Sequence, residues 1–168
     1  QSTTDLDAEI ANNAEMGIKG VYNNTRYGLS MYAMSKHNTI YRDSDFFTVN
    51  DVQTRHRGIE LALAHSFNQH LSVNFAGTYA KHTDSNEQVI GSINIKGNDI
   101  DTAPRKVANI DFNWQANESI SLALQWHYVS RYFSDPENLH EYQGHDILSL
   151  RGQWQISPQL LLSARIIN

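Results

Sequence analysis

The chain contains no cysteine, which excludes disulfide staples, thiolate chemistry and any cysteine-based zinc or iron–sulfur site. It also lacks any stretch approaching the roughly 18 consecutive apolar residues of a membrane-spanning helix. Its opening QSTTDLDAEIANNAE has no basic-plus-apolar leader pattern. A basic excess is missing too: 13 Lys and Arg stand against 18 Asp and Glu, for a net charge of -5. That balance argues against a nucleic-acid partner held by phosphate contacts. The low mean hydropathy of -0.52 does not exclude a membrane strand, because a strand crosses with about 9 to 11 residues of which only every second one is apolar. At 168 residues the length fits one domain.

What is present is period-two alternation, repeated along the chain. It is seen best in TRHRGIELALAHSFNQHLSVNFAGTYA, residues 54–80. Ile59, Leu61 and Leu63 share one parity, against Gly58, Glu60, Ala62 and Ala64. After a polar break at 67–70, Leu71, Val73, Phe75 and Tyr79 oppose Ser72, Asn74, Ala76 and Thr78. Two such strands on so short a link are antiparallel neighbours. Residues 13–22 and 26–36 form a pair of the same kind, joined by Asn23, Asn24 and Thr25. Residues 107–116 alternate almost without fault, with Ala108, Ile110, Phe112 and Trp114 against Asn109, Asp111, Asn113 and Gln115. Their partner is 120–128 across Asn117, Glu118 and Ser119. The last pair is 145–154 and 160–167, turned at Ser157, Pro158 and Gln159. Outside the first dozen residues no helical period survives. Asn23 and Asn117 head N-x-Ser/Thr triplets, and within predicted turns both read as turn chemistry.

Between these pairs lie long polar stretches at 37–53, 81–106 and 130–144, so the connections alternate short and long without exception. The first reads as a loop with strand extensions at its ends. Outer-membrane barrels have short periplasmic turns and long outer loops. The polar parity agrees, since Asn109, Asp111, Asn113 and Gln115 in succession suit a hydrated lumen and would make a poor half of a core. Tyr27, Tyr79, Trp114, Trp126, Tyr128 and Trp154 fall on the apolar parity near strand ends, as an interfacial girdle requires. The expected fold is therefore all-β: an antiparallel transmembrane β-barrel segment of about eight strands with long outer loops and short periplasmic turns. With the short turns periplasmic, both chain ends fall on the outer side, whereas a complete barrel begins and ends in the periplasm. The expectation is that residues 1–168 are a piece of a larger barrel, with the chain interrupted inside an outer hairpin. On this reading Glu60, Ser72, Asn74 and Thr78 face the lumen. Arg57, which has the lipid parity, belongs above the apolar band at the outer interface.

Several segments carry a family resemblance. AEMGIKG at 14–20 is similar to a strand with a recurring Glu-x-Gly-x-Lys pattern, and Arg57, Gly58, Ile59, Glu60 and Leu61 to an Arg-Gly-Val-Glu-Leu strand. TAPRKVANIDFNW at 102–114 resembles a descending strand opened by Ala-Pro. WHYVSRYFSDPEN and GHDILSLRGQW resemble the next ascending strand, its outer loop and the strand after it, and SARIIN closes the chain on an Asn that precedes a Leu-x-Asp sequence. In order and spacing these resemble the C-terminal barrel of TonB-dependent outer-membrane receptors, whose wall has about 22 strands. The resemblance implies a bacterial outer-membrane location and lipid contact. It implies uptake of a scarce ligand, most often a ferric siderophore or haem, with cobalamin or a glycan as other classes. It also implies coupling to TonB through an N-terminal plug region absent from this sequence.

No catalytic constellation stands out. There is no Gly-x-Ser-x-Gly elbow, and Glu60 and Asp111 read as hydrated wall carboxylates. The eight histidines do not cluster on one strand face as metal ligands would. Because outer loops capture ligand in the resembled family, Arg131, Tyr132, His140 and Tyr142 are the candidate ligand-binding residues, offering cation, phenol and imidazole to an anionic iron chelate or haem. No cofactor is expected. Two other readings fit the alternation: a complete small outer-membrane barrel in adhesion or defence, and a soluble β-sandwich binding module. An isolated partial wall has two unpaired edges and a broad apolar face, and is expected to self-associate.

Overall fold

The computed structural model describes residues 7–42, 48–90 and 92–168; at 41, 42 and 48–51 it describes the backbone alone. The described residues contain no helix. Eight long strands form one antiparallel sheet: β1 (Ile10–Tyr22), β2 (Thr25–Arg42), β3 (Thr48–Ser66), β4 (Leu71–Asp84), β7 (Lys106–Gln115), β8 (Ile120–Val129), β11 (His145–Ser157) and β12 (Leu160–Ile167). Each pairs with the next in that order. The outer connections hold two small hairpins, β5 (Val89–Ile90) with β6 (Ile93–Asn94), and β9 (Tyr132–Phe133) with β10 (Glu141–Tyr142). The sheet is open, with β1 and β12 as its edges. Among the described residues, neither a closed eight-stranded barrel nor a second sheet facing the first is formed.

Local chemistry sets each short turn. Asn23 takes the left-handed conformation, φ 49°, which asparagine tolerates better than most residues. Asn68 Oδ1 accepts the N–H groups of His70 and Leu71, and Asn117 Oδ1 accepts those of Ser119 and Ile120. Each side chain thereby satisfies donors that the tight bend would leave unpaired.

The register resolves the two faces. One cross-strand row runs Leu29, Leu61, Gly77, Ala108, Tyr128. The neighbouring row on the opposite face runs Lys19, Gly28, Ala62, Ala76, Asn109, His127. The first face exposes Met16, Ile18, Met31, Ile59, Leu63, Phe112, Trp114, Leu124, Leu148, Leu150, Trp154 and Leu162, so the apolar parity is unburied within the chain. The polar face is a wall of small and hydrated residues, where the Tyr32 ring lies over Gly58, its direct partner. A side chain at Gly58 would displace that ring.

The strands extend further than the alternation indicates. Residues 37–42 and 48–53 of the expected first loop belong to β2 and β3, and 43–47 lie outside the described residues. The pairing shifts register between Lys36 and Thr39 and again between Thr39 and Ile40. A bulge moves every later side chain to the other face, which destroys the period-two signal while the hydrogen-bond ladder continues. Pairing also begins at Ile10, inside the segment that retained a helical period.

The wall has no core of its own. The buried apolar residues Val52, Ala80, Ile90 and Ile95 gather at the outer ends of β3 and β4, under the second long connection. Among the described residues Ile95, 2 % exposed, is the largest side chain wholly enclosed.

Candidate functional site

The second and third long connections are stitched into one unit. Asn98 Nδ2 donates to the Pro136 carbonyl at 2.9 Å. The Asp99 N–H donates to Asn138 Oδ1 at 2.9 Å, while Asn138 Nδ2 donates to the Asp99 carbonyl at 2.8 Å. The Thr102 N–H reaches the Phe133 carbonyl at 2.8 Å. Asn138 has φ 60°, and its amide reproduces a backbone donor–acceptor pair toward the other loop. The unit is tied to the wall through Asp84, whose N–H donates to the Asn98 carbonyl, and through Ile100, whose N–H donates to that of His82.

Of the four loop residues singled out in the sequence, three come together. Tyr132 and Tyr142 are direct partners in the small hairpin, with ring centroids 5.1 Å apart. Arg131 faces Glu141 at 3.6 Å. His140 is held apart from them: its N–H donates to Asp135 Oδ1 at 2.6 Å and its Nδ1 lies 3.3 Å from the same atom. Asp135 also accepts the Leu139 N–H at 2.8 Å, so this carboxylate organises the turn and takes His140 with it.

The tyrosine pair continues onto the polar face of the wall. Tyr142 Oη is 3.1 Å from His145 Nδ1, the His145 and His127 rings lie 5.9 Å apart, and His127 Nδ1 is 2.6 Å from Asn109 Oδ1. Tyr132, Tyr142, His145, His127 and Asn109 therefore make a descending strip of phenol, imidazole and amide groups. Such groups supply hydrogen bonds and flat π-faces to a polar, planar ligand. The sequence identified the tyrosines but not the strip, which becomes visible only through the pairing of β8 with β11. Gly144, φ 83°, makes the approach possible, since a Cβ there would lie 2.4 Å from the Val129 carbonyl oxygen.

A second cluster lies on the polar face where β3 and β4 rise past the apolar band. Arg57 and Lys81 end that band on the opposite face, and the next row holds His56 opposite His82. Their Nδ1 atoms are 2.8 Å apart, and His56 Nε2 is 2.8 Å from Thr54 Oγ1. One imidazole donates to the other, so at least one is neutral. Burial lowers the pKa of both, and the neighbouring imidazole lowers that of His56 further. Asp84 is pushed up to about 6, by burial first and then by Asp101. A 220 Å³ cavity beside them is lined by Lys36, Thr54, His56, Asp84 and Asp101 with Ile95 and Ile100. Among the described residues no group of three or more His, Asp or Glu side chains could hold a metal ion. Sequence spacing did not anticipate the histidine pair.

A family profile described as TonB dependent receptor-like, β-barrel matches residues 1–168. No curated protein sequence matches. Among solved structures, the ferric yersiniabactin uptake receptor FyuA from Yersinia pestis superposes with a TM-score of 0.82 at 16% identity, covering 95% of this chain and 24% of that one. The ferric preacinetobactin receptor BauA from Acinetobacter baumannii gives 0.76 at 20% identity, with coverage of 94% and 25%. A copper transporter, OprC, gives 0.78 at 15%, with 98% and 25% covered. The chain thus spans about a quarter of the length of these structures. The chain belongs to the TonB-dependent receptor β-barrel family, whose members lie in the bacterial outer membrane.

Proposed function

We propose that this chain forms the C-terminal wall and two outer loops of a complete receptor that captures a ferric chelate at the cell surface and imports it. On this reading energy comes from TonB, through an N-terminal region outside this chain, and no catalytic step is involved. The observation that carries the reading is the strip Tyr132–Tyr142–His145–His127 leading from the outer loops down the polar face. Arg131, facing Glu141, and His140, held by Asp135, lie at the loop edge. Support also comes from the ferric yersiniabactin and ferric preacinetobactin receptors, which share the fold. Taken alone, the chain would associate with itself or with detergent, because β1 and β12 are unpaired edges and the apolar face is bare.

The test uses the complete receptor carrying this chain, titrated with a ferric tris-catecholate, ferric citrate and haemin, with quenching of tryptophan fluorescence as the readout. One of these probes binds, and Tyr142→Ala weakens it about tenfold, the loss of one well-made polar and stacking contact. Failure of all three to bind would overturn the reading. The His56–His82 pair favours a second reading, in which the cargo is a divalent copper or similar ion. Binding of Cu²⁺ that His82→Ala abolishes, with no response to iron chelates, would select it.

A further inference from the structure

We propose that Arg151 and Arg165 form a clamp on the polar face of the wall for a carboxylate side chain supplied by the receptor's N-terminal region, outside this chain. The inference rests on the reading of the chain as one part of a complete receptor. The two arginines are direct partners, Arg151 on β11 and Arg165 on β12. Both share the parity of Ser149, Gln153 and Ser163, opposite to that of Leu150, Trp154 and Leu162. Both therefore stand on the polar face, and both are exposed.

Like charges placed directly opposite in a sheet repel, and among the described residues neither arginine is in an ion pair. β8 and β12 carry no carboxylate, and the one on β11, Asp146, has the outward parity and stands five positions from Arg151. Asp111 of β7 shares the polar face but is two strands from Arg151 and three from Arg165, about 10 and about 14 Å at the usual strand spacing. The turn carboxylate Glu118 lies beyond the level of Gln155, whose N–H reaches the Ser119 carbonyl, and so at least about 13 Å along the strand from Arg151. In a chain with 18 Asp and Glu against 13 Lys and Arg, two facing cations without an acidic neighbour call for a counter-charge from elsewhere. Their surroundings are shaped for one. Ala123 is the partner of both Asn113 and Arg151 and puts only a methyl group between them. A hollow of about 420 Å³ opens there, lined by Asn113, Ser121, Ala123, Arg151 and Gln153 and by the turn at 68–70. Amide N–H groups thus lie beside guanidinium forks, whose geometry matches a planar carboxylate. A ligand held at the outer loops does not reach it, since Arg151 is six positions along β11 from His145, about 20 Å. The chain spans about a quarter of the length of the structures it matches, so most of a receptor of that size lies outside it and can face this side of the wall.

The experiment takes the complete receptor carrying this chain, in detergent micelles, and follows hydrogen exchange by mass spectrometry. In R151Q/R165Q, exchange rises about tenfold or more in one acid-bearing segment of the N-terminal region, the loss of a charge-assisted pair, while β8, β11 and β12 stay protected. Changing the carboxylates of that segment to amides gives the same rise in the wild type and adds nothing in R151Q/R165Q. The charge-conserving R151K/R165K keeps the protection, and a carbodiimide then links position 151 or 165 to the same segment. Unchanged exchange across the N-terminal region would overturn the proposal, as would a link formed only to a carboxylate of a neighbouring wall strand. Weaker binding of a ferric chelate by R151Q/R165Q with no change in that exchange would make the pair a chelate site and overturn the assignment. Exchange and cross-linking need no chelate, so failure of the clamp and failure of the transport reading are seen separately.

Discussion

Replacing Leu61 by arginine tests the assignment of the two faces on which every functional statement depends. On β3 the outward residues between His65 and Arg57 are Leu63, Leu61 and Ile59, so the apolar stretch is bounded by polar residues at both ends. Eight residues at about 3.3 Å each span roughly 26 Å along the strand, or about 20 Å of bilayer depth at a strand tilt near 40°. Leu61 lies midway, and its row neighbours Leu29 and Gly77 offer no counter-charge. An outward arginine at the midplane costs about 2–4 kcal/mol, against about 0–1 near the interface, where Arg57 already sits. Ala62, the next residue, faces the other way, among Gly28 and Ala76 in its row, with Glu60 two positions along the same face. Ala62→Arg therefore costs less than about 1 kcal/mol, since its guanidinium stays in water. The assay is guanidinium unfolding of the complete receptor in lipid vesicles, comparing midpoints for the two single variants. Leu61→Ala runs alongside to separate lost apolar contact from buried charge. Equal losses for Leu61→Arg and Ala62→Arg, or a larger loss at Ala62, would refute the assignment.

Ile95→Ala removes the largest fully enclosed side chain among the described residues and costs about 2–5 kcal/mol; hydrogen exchange rises in the second loop and, through Asn138, around Pro136, while β3 and β4 below the rim stay protected. Asn138→Ala breaks the reciprocal bonds to Asp99 at about 1–3 kcal/mol, and faster exchange in both loops together is the readout. For Asp84, a folded pKa raised to about 6 from 3.8 means that the rim bears no cost below the ordinary value, and a cost that grows as pH rises through 6. Fully shielded, that cost would be roughly 3 kcal/mol, and about half that beside water. Asp84→Asn thus tightens the loop at neutral pH. The lowered values of His56 and His82 act in the opposite sense, loosening the rim as pH falls below 6.5, so the Asn variant retains only this acid-side loss when exchange is followed across that range.

The wall was legible in the sequence because its physics is local. A half-wetted strand needs only alternation, and a tight turn only an Asn-type cap, so the four hairpins and both faces can be read residue by residue. Two things escaped for definable reasons. The strand extensions flanking the first long connection are expected from the sequence, but the bulge between Lys36 and Ile40, near the end of β2, reverses parity there and hides how far the ladder runs. The hairpins β5–β6 and β9–β10 have strands of two residues, too short for any period. The His56–His82 pair lay within reach, since a hairpin turning about Gln69 puts Ser66 against Ser72 and, counting back, His56 against His82. The strip from Tyr142 to His127 needed the third loop's return path as well, and no residue pattern encodes that path. His140 was chosen for its imidazole, but Asp135 fixes it on the turn.

The wall and its loops draw stability from different sources, and this separation has a functional consequence. The strands hold each other through continuous ladders, and their apolar face is left exposed, with almost nothing buried inside the wall among the described residues. The loops instead carry a small core of Val52, Ile90 and Ile95 and a polar stitch centred on Asp99 and Asn138. A change in the middle of the wall, away from the shared residues Val52, His82 and Asp84, leaves the loop contacts intact, and distant sites without shared partners are additive within about 0.5 kcal/mol. Leu61→Arg combined with Ile95→Ala should therefore show the full cost of each, the first in global unfolding and the second in local exchange. The loop tips can then change without destabilising the middle of the wall that holds them.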